Sequence, residues 1–179
     1  MLPDSLKRRL AVLSGPSYAR EVADGEVTAV TVASDDPSVS MEVQKLFSAS
    51  NLRIYIQDDV VGTEVGGAVK NIIAVAVGMA DGAGMGENTK AAIISRGFSE
   101  MMRFGVALGA KPATFYGLSG LGDLILTCIG TLSRNWRLGE LLGRGYDVEA
   151  CMQMINGLPE GLETVRAVRA LSRKLGISM

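Results

Sequence analysis

The stretch that decides the fold is residues 65–80, VGGAVKNIIAVAVGMA, the most hydrophobic run of the chain. It is shorter than the roughly 20 residues that a membrane-spanning helix needs. Lys70 and Asn71 also interrupt its apolar character. The run therefore predicts a buried helix over residues 60–79 and no integral membrane segment. Helices are predicted on its C-terminal side, and a mixture of strands and helices on its N-terminal side.

Downstream of this helix, the apolar residues keep helical spacing to the end of the chain. Residues 88–109 carry an apolar stripe, and residues 160–175 are amphipathic. Further helical segments are predicted at Lys111-Pro112 and over residues 118–129, 134–142 and 148–154. We therefore predict an all-helical domain over residues 58–179.

Upstream of it, short strands alternate with helices. Strands are predicted over residues 10–13, over residues 28–33 (TAVTVA, rich in β-branched residues) and over residues 52–56 (LRIYI, alternating). Helical segments are predicted from Tyr18 and from Pro37. Three short strands cannot cover both faces of a sheet. Residues 1–57 are thus predicted to be the end of an α/β domain whose beginning is missing.

Composition excludes several classes of function. Lys and Arg total 18 against 19 Asp and Glu, so a strongly basic nucleic-acid binder is excluded. Histidine is absent, which excludes His-based nucleophile pairs and His-ligated metals. Cys128 and Cys151 are too few for a disulfide scaffold or a Cys-only zinc site, and they indicate a reduced, cytoplasmic compartment. Residues 1–13 show no signal-peptide pattern.

Lys70 is the first candidate for chemistry, because it is the only lysine in the apolar helix. Gly66, Gly67 and Ala74 share its face and would leave room for a ligand. Burial disfavours the charged form of an amine, so such a lysine can act as an acid or base near neutral pH. We expect the fold to tolerate Lys70→Met. Alternatively, Lys70 extends to solvent and the glycines permit helix contact.

Two further groups combine charge with an apolar or helix-starting context. Asp123 lies in an otherwise apolar run and needs a partner if it is ionised, for which Lys70 is a candidate. Ser133-Arg134-Asn135 begins a predicted helix and offers a hydroxyl, a guanidinium and an amide, which are donors suited to phosphate. The alternatives are that Ser133 is a simple N-cap and that Arg134 forms a surface ion pair.

Two glycine-containing turns complete the set. Residues 14–19, SGPSYA, form a strand-to-helix turn of the kind at which α/β proteins bind ligands, although any such protein has similar turns. Residues 81–86, DGAGMG, lack the third glycine of a Rossmann fingerprint and follow a helix. We interpret them as a helix C-cap and a connecting loop.

In their order and spacing, these motifs resemble bacterial-type NAD(P)-dependent glycerol-3-phosphate dehydrogenases. They are LSGPSYAREV at 13–22, GGAVKNIIAVAVGMADGAGMGENTKAAIISRG at 66–97, LSGLGDLILTC at 118–128, SRNWRLGELLGRG at 133–145 and PEGLETV at 159–165. The family interconverts sn-glycerol 3-phosphate and dihydroxyacetone phosphate. The resemblance implies that residues 1–57 are the end of a dinucleotide-binding Rossmann domain. It also implies that residues 58–179 form a helical domain of the 6-phosphogluconate-dehydrogenase-like type.

The resemblance also implies roles for individual residues. Lys70 matches the catalytic lysine, the proton acceptor in alcohol oxidation, which also contacts substrate. The other implied substrate-binding residues are Gly15, Ser17, Asp123, Ser133, Arg134 and Asn135. The implied ligands of the cofactor, NAD or NADP, are Ala19, Arg134, Leu158 and Glu160. Asn71 and Thr127 correspond to polar active-site groups of the wider family, and no metal is implied.

As partners, the resemblance implies a small phosphorylated substrate and a second copy of the chain in a homodimer. The family's glycine-rich pyrophosphate turn, an earlier lysine and the last helices have no counterpart in this sequence. We therefore expect a fragment with little activity of its own. Two alternatives stay open: a sibling dehydrogenase for another hydroxy acid or sugar, and a non-catalytic helical dimerisation module.

Overall fold

The computed structural model describes residues 9–178, so the first eight residues, part of the segment without a signal-peptide pattern, and Met179 lie outside the described residues. The described chain begins with alternating strands and helices: β1 (Val12–Ser14), α1 (Ala19–Ala23), β2 (Thr28–Ala33), α2 (Pro37–Phe47) and β3 (Leu52–Gln57). Helices follow: α3 (Val60–Gly82), α4 (Glu87–Ala107), α5 (Pro112–Phe115), a π-helical turn (Leu118–Gly122), α6 (Asp123–Ile129), α7 (Arg134–Gly143), α8 (Val148–Met154) and α9 (Gly161–Leu175). The predicted fold class, helical after a short α/β part, is confirmed.

The three strands form one small sheet with β2 in the middle. β1 pairs antiparallel with β2, with Val12 opposite Ala33, and β3 pairs parallel with β2. Val30, Val32 and Ile54 are buried on this sheet, as the β-branched strand pattern predicts. The first strand runs over Val12–Ser14 instead of the predicted residues 10–13, because its ladder partners are the last three residues of β2.

Helix α3 is the central element of the helical part. Asp59 caps its N-terminus, accepting a hydrogen bond from the Gly62 N–H at 2.9 Å. Val65, Val69 and Ile73 follow at four-residue spacing and are all buried, so one face of α3 forms the core. By length and composition α3 could also span a membrane, and half of its most apolar stretch is buried inside this fold.

Helix α3 is longer than predicted, and the loop after it uses its glycines in different ways. The helix continues through Gly82 instead of ending at Met79, and Ala83 is its C-cap. Gly84 has a φ of +74°, a conformation that favours glycine in the connecting loop. The interpretation of residues 81–86 as a helix end followed by a loop is therefore correct from Ala83 onwards.

Helices α3 and α7 cross with their backbones in contact. A Cβ added at Gly78 would lie 2.1 Å from the Trp136 carbonyl oxygen, and one at Gly139 would lie 2.0 Å from the Val75 carbonyl oxygen. Gly82 and Gly143 make equally close contacts one turn further along. Only glycine permits this approach, and the approach brings the start of α7 beside the middle of α3.

The two cysteines have no role in cross-linking. Cys128 and Cys151 are both free, with exposures of 1% and 0%. Burial raises the pKa of the Cys128 thiol to about 12, so the thiol is protonated and unreactive at neutral pH. The prediction that both are buried thiols is confirmed.

Candidate active site

Most of the predicted site residues line one cavity of about 830 Å³, between the turn after β1, the middle of α3, and the starts of α6 and α7. The predicted residues in its lining are Ser17, Ala19, Lys70, Asn71, Asp123, Thr127, Ser133, Arg134, Asn135 and Glu160. A second cavity of about 470 Å³ shares Ser17, Lys70, Asp123 and Glu160 with the first and adds Gly15. Leu158 lines neither cavity and is 60% exposed.

Lys70 and the buried Asp123 form a partly buried ion pair in the wall common to both cavities. The Lys70 Nζ, in the middle of α3, donates to the Asp123 Oδ2, on the first residue of α6. The side chains are 19% and 4% exposed. Lys70 is thus the partner that the buried position of Asp123 requires, and the alternative of a lysine that extends to solvent is wrong.

Two opposing influences act on the pKa of the Asp123 carboxyl. Burial raises the pKa of the Asp123 carboxyl above its usual range. The charge of Lys70 acts the other way, together with hydrogen bonds from Lys70 and Thr127. A buried carboxyl with an opposed ammonium beside a cavity is typical of sites that move protons.

The small residues near Lys70 have packing roles that differ from the role predicted for them. A Cβ at Gly66 would lie 2.3 Å from the Ser119 carbonyl oxygen, so this glycine lets the π-helical turn approach α3. Ala74 is fully buried in the core. Of the three, Gly67 alone lines the cavities. The expectation that all three leave room for a ligand is therefore wrong for Gly66 and Ala74, because their face of the helix also packs against protein.

The start of α7 presents a capped helix N-terminus and a guanidinium to the cavity. The Ser133 Oγ accepts a hydrogen bond from the Trp136 N–H at 3.2 Å, so the N-cap interpretation of Ser133 is confirmed. Arg134 makes no ion pair within residues 9–178, in contrast to the surface-pair alternative. Its guanidinium lies over Gly157, where a Cβ would be 2.6 Å from Nη1.

The amide of Asn135 is engaged inside the protein. Its Nδ2 donates to the Asn71 Oδ1 at 3.0 Å, and its Oδ1 accepts from the Gly161 N–H at 2.8 Å. Asn135 therefore joins α3, α7 and the start of α9. What it can still offer a ligand is its second amide hydrogen and its backbone N–H, which lies in the first turn of α7 and has no partner within the helix.

Some cavity residues were not predicted from the sequence. Tyr18, Arg20 and Asn156 line the larger cavity. The first two lie inside the motif LSGPSYAREV, so the motif was a signal for them. Asn156 stands in a short loop before Gly157 and carries no pattern that could have identified it. These residues reach the cavity through the packing of segments that are far apart in the chain.

The comparisons with known proteins agree with this geometry. Residues 59–179 match the family described as NAD-dependent glycerol-3-phosphate dehydrogenase C-terminus, and residues 1–40 match its N-terminus counterpart. The chain belongs to the NAD-dependent glycerol-3-phosphate dehydrogenase family. The resemblance seen in the sequence motifs is confirmed.

Relatives within the glycerol-3-phosphate dehydrogenase family are similar along the whole chain. A glycerol-3-phosphate dehydrogenase [NAD(P)+] of Geobacter sulfurreducens is 49% identical over 179 residues, covering 100% of this chain and 53% of the relative. That of Bacillus subtilis is 47% identical over 178 residues, covering 99% and 52%. The chain thus spans about half the length of the curated relatives it matches.

Solved structures of glycerol-3-phosphate dehydrogenases share the fold. The enzyme of Coxiella burnetii superposes with a TM-score of 0.93 at 44% identity, covering 94% of this chain and 52% of that one. The enzyme of Saccharomyces cerevisiae superposes with a TM-score of 0.81 at 30% identity, covering 92% and 50%. These two enzymes therefore share the described fold of this chain over about half of their own length.

Proposed function

We propose that this chain forms the substrate-binding and proton-transfer part of an enzyme that interconverts sn-glycerol 3-phosphate and dihydroxyacetone phosphate with NAD or NADP. One observation carries the proposal: a partly buried Lys70–Asp123 pair shares a cavity with Arg134 at the start of α7. The pair suits a reacting hydroxyl, and the guanidinium suits a phosphate. The names of the relatives support the same substrate and cofactor.

The proton step is assigned to Lys70. Oxidation of a secondary alcohol removes a hydride from carbon and a proton from oxygen, and a bound nicotinamide supplies the hydride acceptor. The neutral amine of Lys70 takes the hydroxyl proton during oxidation and returns it to the ketone oxygen during reduction. Asp123 stabilises the ammonium that this transfer forms, and the ion pair in the structure corresponds to this protonated state of Lys70.

The phosphate is assigned to the start of α7. Arg134 offers a fork of N–H donors, and the first-turn N–H groups add the positive end of the helix dipole. The Ser133 hydroxyl can still donate its hydrogen, because in its capping bond it acts as an acceptor. We assign Asn135 to substrate through its backbone N–H and its remaining amide hydrogen. Gly15 and Ser17 would close the opposite side, in the turn after β1.

The described residues fit a dinucleotide in part. Ala19, Arg134 and Glu160 line the larger cavity, and Arg134 has no acidic partner within residues 9–178 to compete with an anionic ligand. The second cavity adjoins the first and shares Lys70 and Asp123 with it. Ala19, Arg134 and Glu160 would hold NAD or NADP. Leu158 lies outside both cavities, so its cofactor role depends on the resemblance alone.

We also infer that the protein acts as a homodimer in the cytoplasm. The resemblance implies the dimer, and two free, buried thiols support a reducing compartment. Light scattering coupled to size-exclusion chromatography tests the dimer: a single species of the monomer mass at micromolar concentration would contradict it.

Titration calorimetry on the 179-residue chain tests the function, since binding can be measured where turnover depends on the rest of the enzyme. We expect sn-glycerol 3-phosphate to bind and to release less heat when dihydroxyacetone phosphate is already present. Glycerol, which lacks the phosphate, should not bind measurably. Tighter binding of an unphosphorylated hydroxy acid would favour a sibling dehydrogenase, and no binding of any ligand would favour a non-catalytic module.

A pair of arginine variants localises the phosphate. Arg134→Ala should weaken glycerol 3-phosphate binding by roughly 2–3 kcal/mol, the scale of a charge-assisted contact. Arg103→Ala is the matched control, because Arg103 is an exposed arginine on α4 that lines neither cavity. Equal affinities for Arg134→Ala and Arg103→Ala would contradict the assignment.

A further inference from the structure

One tyrosine hydroxyl connects segments that are far apart in the chain. Tyr18 stands directly before α1, and its Oη donates to the Leu126 carbonyl oxygen at 2.9 Å. The same hydroxyl lies 3.3 Å from the Gly130 carbonyl oxygen. These contacts join residues that are 108 and 112 positions apart. A side chain of the strand-to-helix turn is thus bound to the C-terminal end of α6.

Each of the connected segments carries part of the proposed site. Residues 14–19 hold Gly15, Ser17 and Ala19, and α6 begins with Asp123. The Gly130 carbonyl oxygen also accepts a hydrogen bond from the Ser133 N–H at 3.1 Å. The tight turn that contacts Tyr18 therefore leads directly into the start of α7. The Tyr18 hydroxyl therefore contacts both the helix that carries Asp123 and the turn that leads to Arg134.

The residues around the Tyr18 hydroxyl leave room for it and keep it protonated. A Cβ at Gly130 would lie 2.1 Å from the Tyr18 Oη and 2.9 Å from its Cζ, so glycine makes room for the phenol. Burial, together with the nearby carboxylates of Glu21 and Asp123, raises the pKa of Tyr18 to about 12. The hydroxyl is therefore a neutral donor throughout the physiological pH range.

We propose that Tyr18 is a positioning residue of this site. Its hydroxyl holds the turn with Gly15 and Ser17 against the end of α6 and the entry to α7. It thereby sets the separation between the Lys70–Asp123 pair and Arg134, the two ends of the cavity. The proposal rests on the proposed function for its ligand, but the placement of the turn can be measured without any ligand.

The test uses Tyr18→Phe, which removes the hydroxyl alone from the 179-residue chain. Titration calorimetry should show about a five- to tenfold increase in the Kd for sn-glycerol 3-phosphate, the effect of losing one buried hydrogen bond. The NMR resonance of the Gly15 amide should also shift, because Gly15 lies in the turn that the hydroxyl holds and lines a cavity together with Asp123. Tyr146→Phe is the control and should change neither, since Tyr146 is 46% exposed and lines neither cavity.

A second variant approaches the same contact from the other side. Gly130 has φ −87° and ψ 124°, which alanine adopts, and the added Cβ would lie 2.1 Å from the Tyr18 Oη and 2.8 Å from the Leu126 carbonyl oxygen. Gly130→Ala therefore disturbs both partners of the Tyr18–Leu126 hydrogen bond. It should raise the Kd as Tyr18→Phe does, and it should raise it less in the Tyr18→Phe background, where the Oη is gone. Full additivity of the two changes would contradict a shared action.

The outcomes separate the two proposals. A folded Tyr18→Phe protein with an unchanged Kd and an unchanged Gly15 resonance overturns the positioning role. A lower Tm with an unchanged Kd and an unchanged Gly15 resonance also overturns the positioning role, because it shows that the Tyr18 hydrogen bond only stabilises the fold. If the wild-type chain binds no glycerol 3-phosphate, the proposed function fails, and the Gly15 resonance still decides whether Tyr18 places the turn.

Discussion

Replacing Lys70 by methionine should destabilise the protein, in contrast to what the sequence alone suggests. Methionine matches the length of the side chain and suits an apolar helix, so the pattern predicts that the fold tolerates it. In the structure, however, the substitution leaves the Asp123 carboxylate 4% exposed and without its cation. Breaking a buried pair by removing one partner costs about 3–5 kcal/mol, because a buried charge is left uncompensated.

The size of the loss should depend on pH, since Asp123 can take up a proton. Burial already raises the pKa of the Asp123 carboxyl, and without Lys70 the main opposing influence is gone. A group whose pKa is higher in the folded state than in the unfolded state stabilises the fold at low pH and loses that contribution as pH rises. The free energy of unfolding of the Lys70→Met protein should thus be lower than that of the wild type by about 3 kcal/mol or more at pH 8, and by clearly less at pH 5.

Urea unfolding followed by circular dichroism at both pH values measures this. Lys90→Met is the matched control, because Lys90 is equally buried at 17% side-chain exposure but pairs with Asp81 and Glu87, which are 33% and 88% exposed. Its acidic partners stay solvated, so Lys90→Met should destabilise the protein clearly less than Lys70→Met at pH 8. Adding Asp123→Asn to Lys70→Met should recover most of the loss at pH 8. A Lys70→Met protein as stable as wild type at pH 8, or equally weakened at both pH values, would refute the reasoning.

Three further predictions follow from specific contacts. Asp59→Asn should cost roughly 1–3 kcal/mol at pH 7, because an amide cannot accept from Gly62, Lys111 and Thr114 at once. Burial would raise the pKa of Asp59, but these hydrogen bonds outweigh it and lower the pKa. The loss of stability in Asp59→Asn should therefore become smaller when unfolding is measured at pH values below about 4. Gly139→Ala should lower stability by about 1–3 kcal/mol in thermal unfolding through its contact with Val75, whereas Gly86→Ala, with open space around it, should be close to neutral. Arg134→Lys should restore only part of the glycerol 3-phosphate affinity lost in Arg134→Ala when both are measured by calorimetry, because the forked geometry is missing.

Much of the local structure could be predicted because its causes are local. The four-residue spacing of Val65, Val69 and Ile73 defines a helix face whatever surrounds it. The start of α2 follows from Asp36 and Pro37, and in the structure the Asp36 carboxylate accepts the Ser38 N–H at 2.9 Å. The isolated charges of Lys70 and Asp123 in apolar surroundings were also informative, because a buried charge demands a partner wherever that partner lies in the chain.

The remaining features arise from contacts between segments that are distant in sequence. The pattern around Lys70 shows small residues on its face, but only packing decides that Gly66 faces the Ser119 carbonyl while Gly67 faces the cavities. Asn135 carries a donor that suits phosphate, yet its amide is engaged by Asn71 and Gly161. The sequence shows which polar or charged group each side chain carries, whereas the tertiary structure decides which partner that group binds.

The sequence by itself determined the order and approximate position of the helices and strands, which family the motifs match, and which charged residues need partners, because periodicity, capping and desolvation act over a few neighbouring residues. The tertiary structure alone decided how the site is assembled. Tyr18 meets Leu126 across 108 residues, and Lys70 meets Asp123 across 53. Such contacts depend on how closely whole helices approach, and in this protein that distance is set by glycines whose missing side chains allow backbones to touch.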